Sequence, residues 1–285
     1  MGGNGTLNAE IAAQLDDSMR IILSPVMTGA YAAVIGAEDA RCFDDRDGGP
    51  LVHPLLAALL PQRLMMGLPQ KATQGGVGAS LFSAPLHRSQ SLRIHRALRT
   101  DTPITIAQHF AGARVHPHGA LVTFRYAARD AEGALLDAGI TLLLRDVAWQ
   151  GEEIAAAPAR PPLPGTARET AVPVARGLPW LYDAVSGVPF PIHTSRRAAT
   201  AAGLPDVILQ GSATLALTVG AILRDRCLAP AAIGGADTDF RAPVHPGCTL
   251  TVAHAPHGGG IAFAARDSQG RAVVAGLLQL SDETR

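Results

Sequence analysis

The sequence has few cysteines, few aromatic residues and no excess charge of either sign. Its cysteines, Cys42, Cys227 and Cys248, are odd in number and form no CxxC pair. Such a set argues against a disulfide framework and against a zinc site. Aromatic residues make up 4% of the chain, whereas apolar residues as a whole make up 47%. We therefore expect an aliphatic core in a protein of a reducing compartment.

The charge balance and the hydropathy of the chain indicate which kinds of partner it is not suited to bind. Lys+Arg and Asp+Glu number 24 each, which argues against nucleic acid or an anionic membrane as partner. No apolar run reaches the ~18 residues of a membrane span. Residues 1–5 lack the basic and apolar regions of a signal peptide. The 285 residues suffice for one large domain or two small ones, and we predict a cytoplasmic protein.

A repeated segment organises the chain. Residues 126–133 read YAARDAEG and residues 263–270 read FAARDSQG, at an offset of 137 that Gly139 and Gly276 also keep. Each copy alternates apolar and polar residues on both sides of an Arg-Asp-x-x-Gly turn. The glycine of that turn can take the positive φ that a tight hairpin requires. Each copy is therefore predicted to be a β-hairpin.

The repeat extends towards the N-terminus of each copy. Residues 96–105 resemble residues 241–250, and an alanine-rich apolar segment precedes each block. These two segments, residues 54–66 and 212–223, are typical of buried helices. Each half then has one helix followed by antiparallel strands, which predicts an α+β fold.

A segment rich in proline and alanine separates the two halves. It predicts a linker over residues 155–170. The predicted domains are therefore residues 1–154 and residues 171–285.

One stretch in the second half carries a specific motif. Residues 186–193 read SGVPFPIH and residues 208–212 read ILQGS, so a loop delivers His193 shortly before a helix start. The pattern resembles the MaoC-like hydratase/dehydratase family in its double-hotdog form. That family carries Ser-Gly-Asp-x-Asn-Pro-(Ile/Val/Leu)-His, and later an apolar-x-His-Gly step that opens the central helix. The matching residues are Ser186, Gly187, Pro191, Ile192, His193, Gly203 and Gly211. The resemblance implies two helix-on-sheet repeats that share one continuous sheet.

Three positions depart from the family pattern. Val188 stands where the family has its catalytic Asp, Phe190 replaces the usual Asn, and Gln210 replaces the usual His. Val188 can neither orient nor deprotonate water. The nearest carboxylates in sequence are Asp183 and Asp206, each of which is either a substitute or a loop or capping residue.

The resemblance implies roles for the matching residues. In the family, Asp and His hold a water molecule between them, and backbone amides at the helix start stabilise charge on the thioester carbonyl. His193 is then the proton-transfer residue and Gly211 the carbonyl-polarising amide. Gln210 can donate a hydrogen bond but carry no proton. Val188, Phe190 and Ser212 would line the substrate pocket. Arg196 and Arg197 either bind phosphates of coenzyme A or phosphopantetheine, or form an exposed helix face.

The other histidines have structural interpretations. His53 opens the helical segment of the first half, where the degenerate half of a double hotdog shapes the acyl tunnel. His109, His116 and His118 lie in a setting typical of a turn between strands, with no acidic partner close in sequence. We therefore predict no metal site, and the predicted chemistry needs no cofactor.

The sequence favours one function and leaves others open. The first is hydration of an enoyl thioester, or dehydration of a 3-hydroxyacyl thioester, carried on coenzyme A or acyl carrier protein, in a homodimer. A cyclase or isomerase of a polyketide-like substrate would suit a drier pocket. A non-catalytic thioester-binding or partner subunit is a further alternative. A thioesterase lacks a clear carboxylate at the usual helix and ranks below these.

Overall fold

The computed structural model describes residues 5–46, 48–74, 79–82 and 85–281. Its strands are β1 (Thr6–Asn8), β2 (Asp17–Ile22), β3 (Leu86–Ile94), β4 (Pro103–His116), β5 (Gly119–Asp130), β6 (Gly133–Arg145), β7 (Ala148–Gln150), β8 (Arg168–Pro173), β9 (Ile233–Phe240), β10 (Thr249–His257), β11 (Gly260–Arg266) and β12 (Ala272–Leu280). Its α-helices are α1 (Ala9–Ala13), α2 (Pro25–Val34), α3 (Pro54–Leu59), α4 (Gln62–Met65), α5 (Leu68–Gln74), α6 (Leu178–Ser186), α7 (Arg196–Ala201) and α8 (Gly211–Asp225). Short 3-10 helices cover Ala40–Phe43, Ala79–Phe82, Pro191–His193 and Pro230–Ala232.

One ten-stranded antiparallel sheet joins the two halves. Its strand order is β2-β4-β5-β6-β3-β9-β12-β11-β10-β8, so the first half supplies one side and the second half the other. The halves meet where β3 pairs with β9, in a register that places Gln90 opposite Thr238. The predicted double hotdog is therefore confirmed, as two helix-on-sheet repeats with a continuous sheet.

The repeated turns close the hairpins that the sequence predicts. β5 pairs with β6 and β11 pairs with β12, in equivalent places on the two sides of the sheet. The glycines that end the turns, Gly133 and Gly270, have φ of 125° and 76°. Both values lie in the region that favours glycine, as the hairpin prediction requires.

The central helices of the two halves differ. α8 runs unbroken for 15 residues, and most of its side chains are buried. In the first half, residues 54–66 form two short helices, α3 and α4, instead of the single helix predicted. Pro61 lies between them, and its ring both removes an N–H donor and clashes with the preceding turn. The break follows from that proline.

The segment between the halves crosses the face of the sheet. Residues 155–167 form neither helix nor strand, as the linker composition predicts. Arg160 in this segment lies 2.9 Å from the carboxylate of Asp239 on β9. β8 begins at Arg168, inside the predicted linker, and pairs with β10. The exact domain boundaries stay a prediction. In the described ranges, no helix has both the length and the apolar character that crossing a membrane requires.

Candidate active site

The motif loop is shaped by local hydrogen bonds and one left-handed residue. α6 ends at Ser186, and its C-cap residue Gly187 has a φ of 67° and turns the chain out of the helix. The amide of Val188 then donates to the hydroxyl of Ser186 at 3.0 Å. Pro191 starts the 3-10 turn that ends at His193. Short-range geometry therefore determines where His193 projects.

His193 is held in one tautomer. Its Nδ1 lies 2.8 Å from the carbonyl oxygen of Ile208. A carbonyl only accepts, so Nδ1 carries the proton and the neutral ring keeps its lone pair on Nε2. Burial lowers the pKa of His193, and the bond to Ile208 opposes that shift. The ring is therefore neutral at neutral pH, and Nε2 can accept a proton.

The start of α8 is open. Gln210 is the N-cap residue, but its side chain makes no capping hydrogen bond to the helix. The first-turn amides of Gly211 and Ser212 thus meet no capping side chain, and the helix dipole adds partial positive charge there. A Cβ on Gly211 would lie 3.2 Å from Cδ1 of Phe240. Glycine at position 211 therefore allows the Phe240 ring to lie close to the start of α8.

A cavity of about 360 Å³ brings these groups together. Most of the predicted site residues line it, namely Val188, Phe190, His193, Gln210, Gly211 and Ser212. The first half supplies further lining residues, including Gln62, Met65, His87, Arg88 and Arg145. The cavity is therefore built at the junction of the halves and not within the second half alone.

Two predicted substrate-binding residues lie elsewhere. Arg196 and Arg197 begin α7, where both are exposed, and neither lines the cavity. The guanidinium of Arg196 lies 3.0 Å from the carboxylate of Asp206. The structure thus favours the exposed-face interpretation, and their contact with phosphates stays a prediction.

No carboxylate among the described residues lines this cavity. Asp206 accepts from Arg196 and from the amide of Val207. Asp183 does not line the cavity. Its Oδ1 lies 3.3 Å from Nε2 of Gln210, which does line it. Burial raises the pKa of Asp183, and the bond from Gln210 opposes that shift. Neither carboxylate takes the place of the one missing at Val188.

The hydrogen bonds of Gln210 differ from those that the sequence predicts. Its Nε2 donates to the carbonyl of Pro179 at 3.0 Å and to Asp183. Both partners only accept, so the amide nitrogen must face them. The Oε1 atom is buried and has no hydrogen-bond partner within the described chain. Gln210 therefore offers the cavity an acceptor, whereas the sequence predicts a donor.

Two buried polar atoms without partners belong to residues that line this cavity, which Tyr182 also lines. They are Nε2 of His87 and Oε1 of Gln210, each unpaired within the described ranges. Buried polar atoms are nearly always hydrogen-bonded in proteins, so this set indicates a ligand with polar groups. Burial lowers the pKa of His87 to about 4 and raises that of Tyr182 to about 12. Both side chains are therefore neutral.

His87 and Tyr182 were not predicted as site residues. Tyr182 lies at the start of the motif stretch, where its proximity offered a weak signal. His87 lies far from the motif in sequence and has no recognisable pattern around it. Only the pairing of the two halves brings it to the cavity.

The remaining histidines lie outside the cavity. Nδ1 of His53 accepts from the amide of Leu55 at 3.3 Å and caps α3, which is a structural role. His116 ends β4, and His118 lies in the turn before β5, as predicted. The prediction is wrong for His109, which lies within β4 with its Nδ1 2.9 Å from a carboxylate oxygen of Asp16. The parts of the chain that the structure describes contain no cluster of three metal-ligating side chains.

A comparison with protein families finds a match in the second half of the chain. Residues 160–275 match the family model described as MaoC like domain. This part of the chain is thus similar to a MaoC-like domain. No curated protein sequence matches the chain.

Solved structures share the fold over nearly the whole chain. A MaoC-like dehydratase from Phytophthora capsici has a TM-score of 0.79 at 18% identity, covering 96% of this chain and 98% of that one. Full-length peroxisomal multifunctional enzyme type 2 from Drosophila melanogaster has a TM-score of 0.77 at 24% identity, covering 94% of this chain and 48% of that one. A conserved hypothetical protein from Mycobacterium tuberculosis with a double hotdog fold has a TM-score of 0.63 at 18% identity, covering 93% of this chain and 95% of that one. At these identities the similarity shows the double hotdog fold.

Proposed function

We propose that the protein is a hydratase/dehydratase acting on an enoyl or 3-hydroxyacyl thioester. The observation that carries the proposal is the bond between His193 and the carbonyl of Ile208. It leaves a proton-accepting Nε2 in the same cavity as the open amides of Gly211 and Ser212. A base and an electrophilic helix start are the two elements that addition of water to a conjugated thioester requires.

The chemistry follows from these positions. Nε2 of His193 accepts one proton of a water molecule while the water oxygen bonds to the β-carbon. The π electrons of the double bond shift towards the thioester oxygen, where the amides of Gly211 and Ser212 stabilise the negative charge. The imidazolium then returns its proton to the α-carbon, and the thioester carbonyl re-forms. Dehydration is the same path reversed.

Arginines at the edge of the cavity suit a phosphorylated carrier. Arg88, Arg145 and Arg241 line it, and the last two are exposed. Among the described residues, no ion pair involves Arg88 or Arg145, and Arg241 lies 4.0 Å from Asp239. Guanidinium groups bind phosphate oxygens in a bidentate manner. We therefore propose that the acyl group is carried on coenzyme A or on the phosphopantetheine of acyl carrier protein.

Turnover of crotonyl-CoA and longer enoyl-CoA thioesters tests the proposal. Loss of the conjugated double bond is followed by absorbance for the wild type and for His193→Ala. We expect hydration by the wild type and a loss of about 10²–10⁴-fold in His193→Ala. His118→Ala, in the turn between β4 and β5, is the matched control and should keep full activity. No turnover at any chain length, or full activity in His193→Ala, would contradict the proposal.

The apolar lining near His193 favours a second candidate. Val188 is buried, Phe190 is partly buried, and both line the cavity, which no carboxylate lines in the described residues. Such a cavity suits a cyclase or isomerase of a polyketide-like substrate, in which shape and one proton-transferring group suffice. Val188→Asp distinguishes the two. If it creates hydratase activity in an inactive parent, the natural reaction is a different one.

A non-catalytic role has its own signature. A thioester-binding or partner subunit would bind acyl-CoA without turnover and co-purify with a second hotdog chain. Light scattering of the purified protein addresses the predicted homodimer separately. Both measurements are independent of the hydration assay.

A further inference from the structure

His87 is a partly buried histidine of the first half that lines the cavity at the junction of the halves. It lies on β3 and lines the cavity together with His193. Its Nε2 is buried and has no hydrogen-bond partner in the described part of the chain. A polar atom in this state points to a ligand group that is bound there during function.

A bulge in β3 orients the His87 side chain. His87 pairs with Leu142 of β6, whereas Ser89 pairs with Thr141, so the residue between them is extra in the register. Bulges occur beside active sites, where they redirect side chains. The extra residue is Arg88, which lines the same cavity. The distortion therefore places two consecutive side chains at one site.

His87 is also connected to the helix start. Its ring centroid lies 4.5 Å from that of Phe240, with the rings inclined by 51°. Phe240 in turn packs against Gly211, the first residue of α8. Only one aromatic ring thus separates His87 from the amides that polarise the thioester carbonyl.

We propose that His87 binds the attacking water, or the β-hydroxyl group in the reverse reaction, by accepting a hydrogen bond at Nε2. It thereby takes over the water-holding role that Val188 cannot fulfil. This inference rests on the proposed hydratase function and adds a residue from the other half to it. The water gives one proton to Nε2 of His193, and its remaining O–H donates to His87 without breaking.

The protonation state of His87 fits this role. Hydrogen bonding with the backbone of Ser89 raises the pKa of His87, and burial lowers it. We assign the proton of the neutral ring to Nδ1, so that Nε2, which has no partner among the described residues, keeps its lone pair. Burial, the larger effect, keeps the ring neutral. His87 can therefore accept a hydrogen bond throughout the reaction without titrating.

Variants of His87 test the role against purely structural effects. We expect His87→Leu to lower kcat for enoyl-CoA hydration by about 100-fold with little change in KM, because a misplaced water loses its alignment. His87→Gln keeps an acceptor and should stay within about tenfold of the wild type. His53→Gln is the matched control. It alters a buried histidine of the first half that does not line this cavity, and kcat should not change.

Restoring a carboxylate gives the decisive comparison. We expect Val188→Asp to raise kcat of His87→Leu at least tenfold, because the carboxylate accepts the hydrogen bond that His87 no longer can. Thermal unfolding of each variant shows that it is folded. If His87→Leu does not fold, His87→Phe refills the space beside Phe240 and carries the same expectation.

The outcomes separate this inference from the proposed function. If the wild type hydrates enoyl-CoA and folded His87→Leu keeps its kcat, the inference is wrong and the proposed function stands. An activity loss that Val188→Asp does not reverse also overturns it. If the wild type hydrates no enoyl thioester, the proposed function fails, and the inference fails with it.

Discussion

Nε of Arg63 lies 3.0 Å from the carbonyl oxygen of Ser186 and so joins α4 of the first half to the end of α6 in the second. The guanidinium is half-buried, and burial lowers its pKa. Among the described residues, no ion pair involves Arg63, so its charge meets the negative end of the α6 dipole instead. Gly187 follows, where a Cβ would lie 3.2 Å from the guanidinium. One side chain of the first half therefore supports the loop that carries His193.

Replacing Arg63 tests this support. Arg63→Met removes a charge-assisted hydrogen bond to a helix carbonyl, so we expect the free energy of unfolding to fall by about 1–2 kcal/mol. We also expect kcat to fall, because the loop that ends at His193 loses its contact with α4. Urea denaturation measures the first effect and the hydration assay the second. Arg20→Met, at an exposed position of β2, is the control and should change neither quantity measurably. Equal behaviour of the two variants would contradict the prediction.

A carboxylate at position 210 should conflict with Asp183. In Gln210→Glu, two carboxylates meet at the place where Nε2 now lies 3.3 Å from Oδ1. We expect the variant to lose about 3 kcal/mol of stability at neutral pH. The repulsion raises the carboxyl pKa in the folded state, so the loss grows as pH rises above the ordinary value of about 4. Chemical denaturation of the variant and the wild type at several pH values measures the difference.

A substitution of Asp183 serves as the control for Gln210→Glu. Asp183→Asn removes the charge that opposes the introduced carboxylate, so we expect it to recover most of the stability that Gln210→Glu loses. If the double variant is as unstable as the single one, the hydrogen bonding of Gln210 is not the cause.

Buried histidines should make the protein sensitive to acid. Burial lowers the pKa of His53 and of His87 to about 4, against 6.5 in the unfolded chain. The unfolded state therefore binds more protons in this interval, and stability is fully present above pH 6.5 and lost as pH falls towards 4. Each side chain contributes on the order of 3 kcal/mol. We expect His53→Gln to flatten the pH dependence measured by urea denaturation, and an unchanged slope would contradict the assignment.

The arginines at the cavity edge should distinguish carriers by their phosphates. We expect Arg145→Ala and Arg241→Ala each to raise KM for an enoyl-CoA about tenfold, since a lost phosphate contact of ~1.4 kcal/mol has that effect. The matching N-acetylcysteamine thioester has no phosphate, so its KM should not change. The sequence alone predicts that Arg197 binds the same phosphates, so Arg197→Ala is the direct comparison. If that variant raises KM while the other two do not, the carrier leaves the cavity by a different route.

Local patterns made much of the fold predictable. The two Arg-Asp-x-x-Gly turns predict hairpins because alternation and a permissive glycine are short-range properties, and both hairpins form. The helix over residues 212–223 was predicted from its unbroken apolar run and forms within α8. The single helix over residues 54–66 was wrong because Pro61 interrupts it. In that case a local rule outweighed the apolar periodicity.

The amino-acid order alone determines the duplicated α+β fold and the loop that presents His193 before α8. It also shows that position 188, where the family has its catalytic Asp, is a valine. Only the tertiary structure decides that His87 of the first half lines the cavity and that Asp206 is held by Arg196. For His87 the reason is that β3 pairs with β9, far along the chain. Periodicity indicates which face a strand buries, but it does not specify which strand of the other half lies beside it.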